Sequence, residues 1–443
     1  MKVVFLILFV VVFAPSLKAQ KADEVLATAN GLTFTTNSLS ESVRKNYVGR
    51  DAAVAAERTR LLTSMINETV LEAEAKSVNS TGNALIAAEL KKVAEPTAAE
   101  IKTIFDANKA AFGDKSFDQV RPQIVAFLRN NAQQKAMNGL AERLKTKYKF
   151  VAGKDINAAD VKPADTLFSI AGKTVTAGDF TDRYNAQLYD VKAAIAVQTV
   201  NDLENSIFST LIEQEAKARS IEVGDLIAAE ITDKLREFSD EERFALQDAL
   251  RKKLFEKYSV KIAVKEPEPV AHNVSADDDP FSGKAEAPVT VIMFSDFQCS
   301  ACSATHPVLK RALAAYGGNV RLVVRDFPLE SVHENAFHAA LAANAARAQG
   351  KFFEYVEILY RSQDSLDDAS LKRFAAELGL NAKQFELDFI SEKTAAEVRK
   401  DMGDGDRNGV RSTPTIFING IKAQRFSEAG FRSMIDRALS RPK

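Results

Sequence analysis

Residues 290–302 read Thr-Val-Ile-Met-Phe-Ser-Asp-Phe-Gln-Cys-Ser-Ala-Cys, and this stretch decides the fold of the C-terminal part of the chain. Residues 290–294 form a short apolar run, which predicts a strand that is buried on both faces. Cys299 and Cys302 then open a helical pattern that continues to Tyr316. The order predicts a strand that leads into a helix with two thiol groups in its first turn.

These two cysteines are the only ones among the 443 residues. Two cysteines placed at random on a chain of this length would lie three residues apart in roughly one case in two hundred. A disulfide between them would close too small a loop to stabilise the fold much by restricting the unfolded chain. The spacing therefore favours a reactive pair over a structural crosslink.

The pattern after the cysteines alternates between strands and helices. A second strand is predicted at 320–325, and a long helical insertion follows over about 333–400. Thr413 and Pro414 then open an apolar run that ends at Asn419 and Gly420, which predicts a strand that ends in a turn. A final helix is predicted over 427–439.

Four segments of this region carry a family resemblance. They read Phe-Ser-Asp-Phe-Gln-Cys at 294–299, Asp-Phe-Pro-Leu at 326–329, Gly-Lys-Phe-Phe-Glu-Tyr at 350–355 and Gly-Val-Arg-Ser-Thr-Pro-Thr-Ile-Phe-Ile-Asn-Gly at 409–420. Together they resemble the DsbA-like branch of the thioredoxin superfamily over residues 278–443. The resemblance implies an α/β thioredoxin-like fold with a helical insertion. It also implies an enzyme, a protein thiol–disulfide oxidoreductase, that uses no cofactor and no metal.

The resemblance assigns roles to four residues. Cys299 is expected to be the attacking thiol, because unpaired amide groups and the dipole at a helix N-terminus stabilise a thiolate and lower its pKa. Cys302, one turn further in, is expected to resolve the mixed disulfide. Pro414 aligns with the cis-proline of the family, so Thr413 and Pro414 are expected to bind an extended substrate beside the cysteines.

Two positions depart from the family pattern. Ser300 and Ala301 do not resemble the Pro-His dipeptide of strong oxidants, and Met293 stands where relatives often carry a buried acid. Such an acid assists proton transfer to or from Cys302, so Asp296 or water would have to take its place. Both departures predict a less oxidising couple than that of the strongest oxidases.

The first residues have the pattern of a secretory signal peptide over 1–19. Lys2 precedes an apolar run over 3–14, Pro15 interrupts the run, and Ala19 ends a cleavage-site pattern. The run is shorter than the ~20 apolar residues that span a bilayer. We expect export, to the periplasm or an equivalent compartment, and a soluble mature protein. An uncleaved anchor is the alternative interpretation.

Mainly helical patterns occupy residues 27–150 and 165–263. The two ranges match at a constant offset of 141, and the match begins with a glycine-anchored strand, Gly-Leu-Thr-Phe-Thr against Gly-Lys-Thr-Val-Thr. The matching positions further along are Leu62, Ile66, Glu72, Glu74, Ala75 and Lys76 with Leu203, Ile207, Glu213, Glu215, Ala216 and Lys217. A fixed offset predicts an internal duplication. Chance similarity of helices rich in Ala, Glu and Lys is the alternative.

Further motifs in the first repeat are Asn-Gly-Leu-Thr-Phe-Thr at 30–35, Leu-Glu-Ala-Glu-Ala-Lys at 71–76, Pro-Thr-Ala-Ala-Glu-Ile at 96–101 and Val-Arg-Pro-Gln-Ile at 120–124. They resemble the N-terminal domain of SurA-like periplasmic chaperones. The resemblance implies that the helical region binds unfolded polypeptide or makes subunit contacts. A prolyl-isomerase domain of the parvulin type is not recognisable between the repeats, so that activity is not implied.

The remaining features concern the predicted linker, the net charge and the expected partners. Residues 264–289 are rich in Pro and Asp, which predicts an extended linker. The formal net charge is -1, from 59 basic and 60 acidic residues, which gives no indication of a nucleic-acid partner. The expected partners are unfolded or disulfide-containing polypeptides, an unidentified redox protein and a second copy of the chain. Two alternatives stay open: a disulfide isomerase or reductase with a helical dimerisation module, and a holdase chaperone with a secondary redox domain.

Overall fold

A computed structural model describes residues 24–440. The predicted signal peptide over residues 1–19 lies outside the described residues. Within residues 24–440, no helix combines the length and the apolar character that crossing a membrane requires.

The bounds of the regular elements follow the chain. The strands are β1 (Val25–Ala29), β2 (Leu32–Thr35), β3 (Val151–Ala152), β4 (Thr166–Ile170), β5 (Lys173–Thr176), β6 (Lys261–Ile262), β7 (Phe281–Ser282), β8 (Val289–Ser295), β9 (Val320–Asp326), β10 (Thr415–Ile418) and β11 (Ile421–Lys422). The helices of the first part are α1 (Glu41–Val48), α2 (Arg50–Ser77), α3 (Gly82–Leu90), α4 (Ala98–Ala107), α5 (Lys109–Phe112), α6 (Phe117–Lys147), α7 (Ala177–Ala218), α8 (Val223–Glu230) and α9 (Asp240–Lys257). Those of the last part are α10 (Ser300–Ala314), α11 (Ala336–Arg347), α12 (Phe352–Arg361), α13 (Asp368–Glu377), α14 (Ala382–Phe389), α15 (Glu392–Arg407) and α16 (Glu428–Ser440).

The chain divides into two compact units whose bounds differ from the predicted ones. The first unit combines the chain up to Val54 with Val191–Glu268, and the second combines Ala55–Asp190 with the chain from Pro269 onward. The predicted repeats, 27–150 and 165–263, are therefore each divided between the units. The packing within each unit gives the physical reason.

In the first unit, the hairpin from the start of the chain packs on helices from the second half of the helical region. Strands β1 and β2 pair antiparallel, and β6 adds a third strand next to β1. Leu26 and Phe34 of this sheet are buried in one core with Leu203 of α7 and with Leu250 and Leu254 of α9. The hairpin of the first repeat is thus stabilised by helices of the second.

The second unit contains the reciprocal arrangement. Strands β3, β4 and β5 form an antiparallel sheet. Phe168 of β4 and Val175 of β5 are buried in one core with Leu61 and Val70 of α2 and with Leu144 of α6. The hairpin of the second repeat therefore packs on helices of the first, and this exchange is the reason why the units and the repeats have different bounds.

A hairpin turn recurs at the offset of the sequence match. The β1–β2 turn has positive φ at Asn30 and Gly31, and the β4–β5 turn has it at Ala171 and Gly172. Two successive residues with positive φ are typical of the tightest hairpin turns, which match the twist of the flanking strands. The likeness supports the interpretation of 27–150 and 165–263 as repeats.

A glutamate carboxylate accepts a hydrogen bond from a tyrosine in both halves. The Tyr148 hydroxyl donates to Glu74 at 2.8 Å, and the Tyr258 hydroxyl donates to Glu215 at 3.0 Å. Glu74 and Glu215 are a pair of the matched positions. In each case the tyrosine follows the last helix of its half, so the hydrogen bond ties that helix to the helix that carries the glutamate.

The C-terminal sheet has five strands in the order β11-β10-β8-β9-β7. Strands β8 and β9 are parallel and are connected by α10, whereas β10 pairs antiparallel with β8, with Thr415 opposite Phe294. Helices α11 to α15 form the insertion between β9 and β10. The predicted strands, the helix after the cysteines, the helical insertion and the final helix are all present.

The segment predicted as a linker is partly packed. The His272 N–H donates to the Gly420 carbonyl at 2.8 Å, and the buried His272 ring contacts Asp190 at 2.9 Å between Nε2 and Oδ2. Strand β7, also within the predicted linker, pairs with β9. Parts of the predicted linker therefore pack at the edge of the sheet, and the linker over 264–289 stays a prediction.

Candidate active site

The two cysteines lie at the start of α10, shortly after the end of β8. Cys299 is the N-cap residue of α10, and Cys302 lies within its first turn. Cys299 is 8% exposed, whereas Cys302 is fully buried, and both are free thiols. Cys299 is thus the more exposed of the two residues, and its role as the sulfur that meets a substrate stays a prediction.

The start of the helix stabilises a thiolate at Cys299. A hydrogen bond with Cys302 and hydrogen bonds from the backbone N–H groups of Ala301 and Cys302 lower the pKa of Cys299 to about 5, although burial opposes them. Burial, and then the hydrogen bond with Cys299, raise the pKa of Cys302. At neutral pH the negative charge therefore belongs to Cys299, and Cys302 keeps its proton.

The segment around Pro414 faces the same sulfur. The Thr413–Pro414 peptide bond is cis, as the family resemblance implies. The Cys299 thiol lies 3.4 Å from the Thr413 carbonyl oxygen, to which it can donate. Strand β10 begins directly after Pro414 and pairs with β8, which fixes this approach. The structure thus brings together all four residues that the sequence marks as site residues: Cys299, Cys302, Thr413 and Pro414.

Asp296 does not replace the missing acid. Its Oδ1 accepts from the Gln298 N–H at 2.8 Å. Its Oδ2 accepts from the Leu329 N–H at 2.9 Å and contacts His333 Nδ1 at 2.7 Å. The carboxylate therefore holds the loop after β9 against the start of the site. Met293 is fully buried and apolar, as the sequence indicates.

Sequence reasoning missed a glutamine that fixes the approach to α10. The Gln363 side-chain amide donates to the carbonyl of Phe297 at 3.0 Å and to that of Cys299 at 2.9 Å. Gln363 follows α12, more than sixty residues after the cysteines in the chain. A motif around the cysteines carries no signal for such a contact.

Ser295 and Tyr360 are two further residues that the sequence analysis did not single out. The Ser295 hydroxyl lies 2.5 Å from the Tyr360 hydroxyl, and both residues are buried. A hydrogen bond between Ser295 and Cys302 lowers the pKa of Cys302, against the larger effect of burial. The pair therefore lies beside the buried thiol.

His306 of α10 is a buried polar residue. Its Nε2 contacts the Glu357 carboxylate at 3.0 Å. Burial lowers the pKa of His306, and the hydrogen bond with Glu357 opposes this shift only in part. The ring is neutral at pH 7, so it does not supply a positive charge to the Cys299 thiolate.

Within residues 24–440, no three His, Cys, Asp or Glu side chains are arranged to hold a metal ion.

Comparison with known proteins finds a family match in the C-terminal region. Residues 275–437 match the family described as Thioredoxin. These residues form a thioredoxin-like domain. The α/β thioredoxin-like fold predicted for the C-terminal region is thereby confirmed. The likeness of the helical region to SurA-like chaperones stays a prediction.

Solved structures of similar proteins include a thioredoxin-like oxidoreductase from Silicibacter pomeroyi DSS-3. It is 28% identical, with 38% of this chain and 95% of that chain covered and a TM-score of 0.35. BdbD from Bacillus subtilis is 21% identical, with 40% and 100% covered and a TM-score of 0.36. Alpha-DsbA1 from Wolbachia pipientis is 21% identical, with 38% and 96% covered and a TM-score of 0.34. The assignment of the thioredoxin-like domain rests on the family match.

Among curated proteins, the chain is similar to parts of Na(+)/H(+) antiporters. NhaA 1 of Mycolicibacterium vanbaalenii is 36% identical over 162 residues, which are 35% of this chain and 26% of the relative. NhaA 3 of Salinispora tropica is 39% identical over 147 residues, which are 33% and 22%. The chain thus spans about a quarter of the length of the curated relatives that it matches.

The lowered pKa of Cys299 predicts its reactivity. Because the thiolate is the form above the pKa, iodoacetamide should alkylate Cys299 at half its maximal rate near pH 5 and at nearly full rate at pH 7. Cys302 should not react until the protein unfolds, since its pKa is raised and its sulfur is buried. Mass spectrometry of peptides after timed alkylation measures both rates. Faster labelling of Cys302 would reverse the assignment.

The redox potential of the pair should be intermediate. A pKa of about 5 for Cys299 lies between the ~7 of thioredoxin and the ~3.5 of a strong periplasmic oxidase. A more stable thiolate favours the reduced form, so we expect a potential between the ~-270 mV and ~-120 mV of those proteins. Equilibration with glutathione buffers, followed by thiol labelling, measures the potential. A value at either end of the range would contradict the argument.

Proposed function

We propose that the protein is an exported thiol–disulfide oxidoreductase that exchanges disulfides with proteins outside the cytoplasm. One observation carries the proposal: Cys299, the more exposed of the two cysteines, is the one whose negative charge the start of α10 stabilises, while Cys302 is fully buried one turn behind it. This asymmetry is what stepwise exchange needs, because the first thiol must meet a substrate and the second must not.

The reaction balances over two displacements. In the reductive direction, the Cys299 thiolate attacks a substrate disulfide, a Cys299–substrate bond forms, and the other substrate sulfur leaves with the electron pair and takes up a proton. Cys302 then loses its proton and attacks Cys299, the Cys299–Cys302 bond forms, and the second substrate sulfur leaves and is protonated. The cysteine pair is oxidised and the substrate is reduced. Oxidation of a substrate dithiol follows the same steps in reverse.

The Thr413–Pro414 segment supports binding of an extended substrate. With a proline at 414, no backbone N–H at that position competes for the sulfur. The backbone of Thr413 lies beside Cys299, where it can pair with the main chain of a peptide that enters along the site. Substrate recognition through main-chain contacts suits an enzyme that acts on many different polypeptides.

The proposed function includes export but not ion transport. The proposal of export rests on the signal-peptide pattern over residues 1–19. The antiporter names of the curated relatives refer to proteins of which this chain spans about a quarter, so ion antiport is not part of the proposal.

The helical region is proposed to hold unfolded substrates. In the first unit, Phe238 is 69% exposed and Phe244 is 66% exposed. Phe238 has a positive φ, which is unusual for a bulky side chain. The Glu242 carboxylate accepts from the N–H groups of Arg236, Glu237 and Phe238, so the turn that presents this ring is well defined. Two exposed aromatic rings on a fixed surface suit contact with apolar segments of an unfolded chain.

A trapping experiment tests the redox function. Cys302→Ala in the full chain should accumulate mixed disulfides with extracytoplasmic proteins, because the resolving thiol is gone. Non-reducing electrophoresis with mass spectrometry identifies the trapped species. Cys299→Ala is the matched control and should trap few, since its remaining thiol is buried. Equal trapping by the two variants, or by neither, would overturn the proposed function.

A second experiment tests the holding role. Phe238→Ser combined with Phe244→Ser should slow oxidation of a reduced, unfolded protein about thirtyfold, because exposed aromatic contacts of this kind are each worth about 1 kcal/mol and the double variant loses two of them. Reaction with glutathione should be unchanged, since it needs only Cys299. Lys252→Ser, which changes an exposed residue of α9, the helix that carries Phe244, is the control. Unchanged oxidation of the unfolded protein would leave the helical region with a scaffolding or dimerising role, which sedimentation measures.

A further inference from the structure

Strand β8 places a serine on the face that carries the buried thiol. Side chains alternate along a strand, so Val291, Met293 and Ser295 share one face. Val291 and Met293 are buried in the same core as Cys302, whereas Ile292 and Phe294 pack in a core on the opposite face of the sheet. The last residue of β8 on the thiol side is therefore a hydroxyl group, and it is 1% exposed.

A tyrosine from the helical insertion meets this serine. Tyr360 lies in α12, and its hydroxyl is 2.5 Å from the Ser295 hydroxyl. Its ring packs against Phe297 at 5.6 Å and His306 at 5.0 Å between centroids. The two hydroxyl groups are thus held at the short end of the range for hydrogen bonds between oxygens.

The chemistry of the two hydroxyl groups sets the direction of the hydrogen bond. A phenol, with a pKa near ~10, is a much stronger acid than an alkyl hydroxyl and is the better donor. Burial, and then the charge on a Cys302 thiolate, raise the pKa of Tyr360 well above its ordinary value, so the phenol keeps its proton. With Tyr360 as donor, the hydrogen of Ser295 is left to donate to the Cys302 sulfur. Donation into Ser295 also polarises its O–H bond and strengthens that second hydrogen bond.

The other titratable groups near Cys302 have partners of their own. On α10, the ring of His306 pairs with Glu357 of α12. At the end of β8, the Asp296 carboxylate is held by the loop after β9. Cys299 raises the pKa of Cys302 while it carries a thiolate. In a mixed disulfide Cys299 has no charge, so this effect disappears and the hydrogen bond from Ser295 remains.

We propose that Ser295 and Tyr360 form a positioning pair that stabilises the Cys302 thiolate when the mixed disulfide is resolved, in place of the buried acid that this chain lacks. The proposal rests on the proposed function. In this step the Cys302 proton passes to the departing substrate sulfur by way of solvent, the Cys299–Cys302 bond forms and the Cys299–substrate bond breaks. Because the reverse step expels the same thiolate from the disulfide, the pair accelerates both directions.

The two steps can be timed separately in the full chain with 5,5′-dithiobis(2-nitrobenzoate). Attack by Cys299 releases one thionitrobenzoate, and attack by Cys302 on the resulting mixed disulfide releases the second. Ser295→Ala and Tyr360→Phe should each slow the second release about tenfold, the size expected for a hydrogen bond to a charged group. The first release should be unchanged. The double variant should be no slower than the slower single variant, because the two hydroxyl groups act as one unit.

The pH profile separates this role from packing. Loss of the hydrogen bond should move the midpoint of the second release upward by about one pH unit, whereas a packing defect would slow it equally at every pH. Ser303→Ala is the matched control, since the Ser303 hydroxyl donates to the Tyr360 carbonyl at 3.1 Å and not to its phenol. Circular dichroism checks that each variant is folded.

An unshifted midpoint, or an unchanged second release in both variants, overturns the proposal. A wild-type protein that releases one thionitrobenzoate or none instead contradicts the proposed function itself.

Discussion

The meeting of the first backbone amide groups of α10 with the Cys299 sulfur is the interaction on which the site depends. The parallel pairing of β8 and β9 fixes where α10 begins, and β10 beside β8 brings the Thr413 carbonyl to the same sulfur. Gln363 holds the carbonyl groups just before the helix, so the amide groups keep their direction. Because burial raises the pKa of Cys302, that thiol keeps its proton, and the negative charge lies on Cys299. Loss of any of these contacts would move the pKa of Cys299 back toward that of an ordinary cysteine.

Local sequence patterns predicted the parts of the site that are local in the chain. The apolar run that became β8, the two thiols at the start of α10 and the Thr-Pro pair before β10 each depend on neighbouring residues, and the family motifs add to that signal. The contacts of Ser295 with Tyr360 and of Gln363 with Cys299 join residues 65 and 64 positions apart. They exist only because α12 of the insertion packs next to α10. The same packing buried His306 against Glu357, which its position in a helical pattern did not reveal.

In the helical region, the sequence predicted the similarity of the two halves but not how they pack. The match at an offset of 141 indicated two similar halves, and the similar turns and tyrosine–glutamate contacts support that interpretation. It did not indicate that each hairpin packs on the helices of the other half. Similar halves present similar apolar faces, so the pattern of a hairpin fits either set of helices equally well. Which helices a hairpin packs on depends on the connections and on the three-dimensional arrangement of the helices. Neither can be predicted from a single sequence.

The reciprocal packing has a consequence for the order in which the chain can fold. The first hairpin finds its sheet partner β6 and its core partners on α7 and α9 only in the segment Val191–Glu268. At a synthesis rate of ~5–20 residues per second, the ribosome needs on the order of ten seconds or more to add that segment. During this interval the hairpin and α1 expose the apolar side chains that they later bury. The first hairpin of a newly made chain must therefore stay unpacked until synthesis is well past the midpoint of the chain.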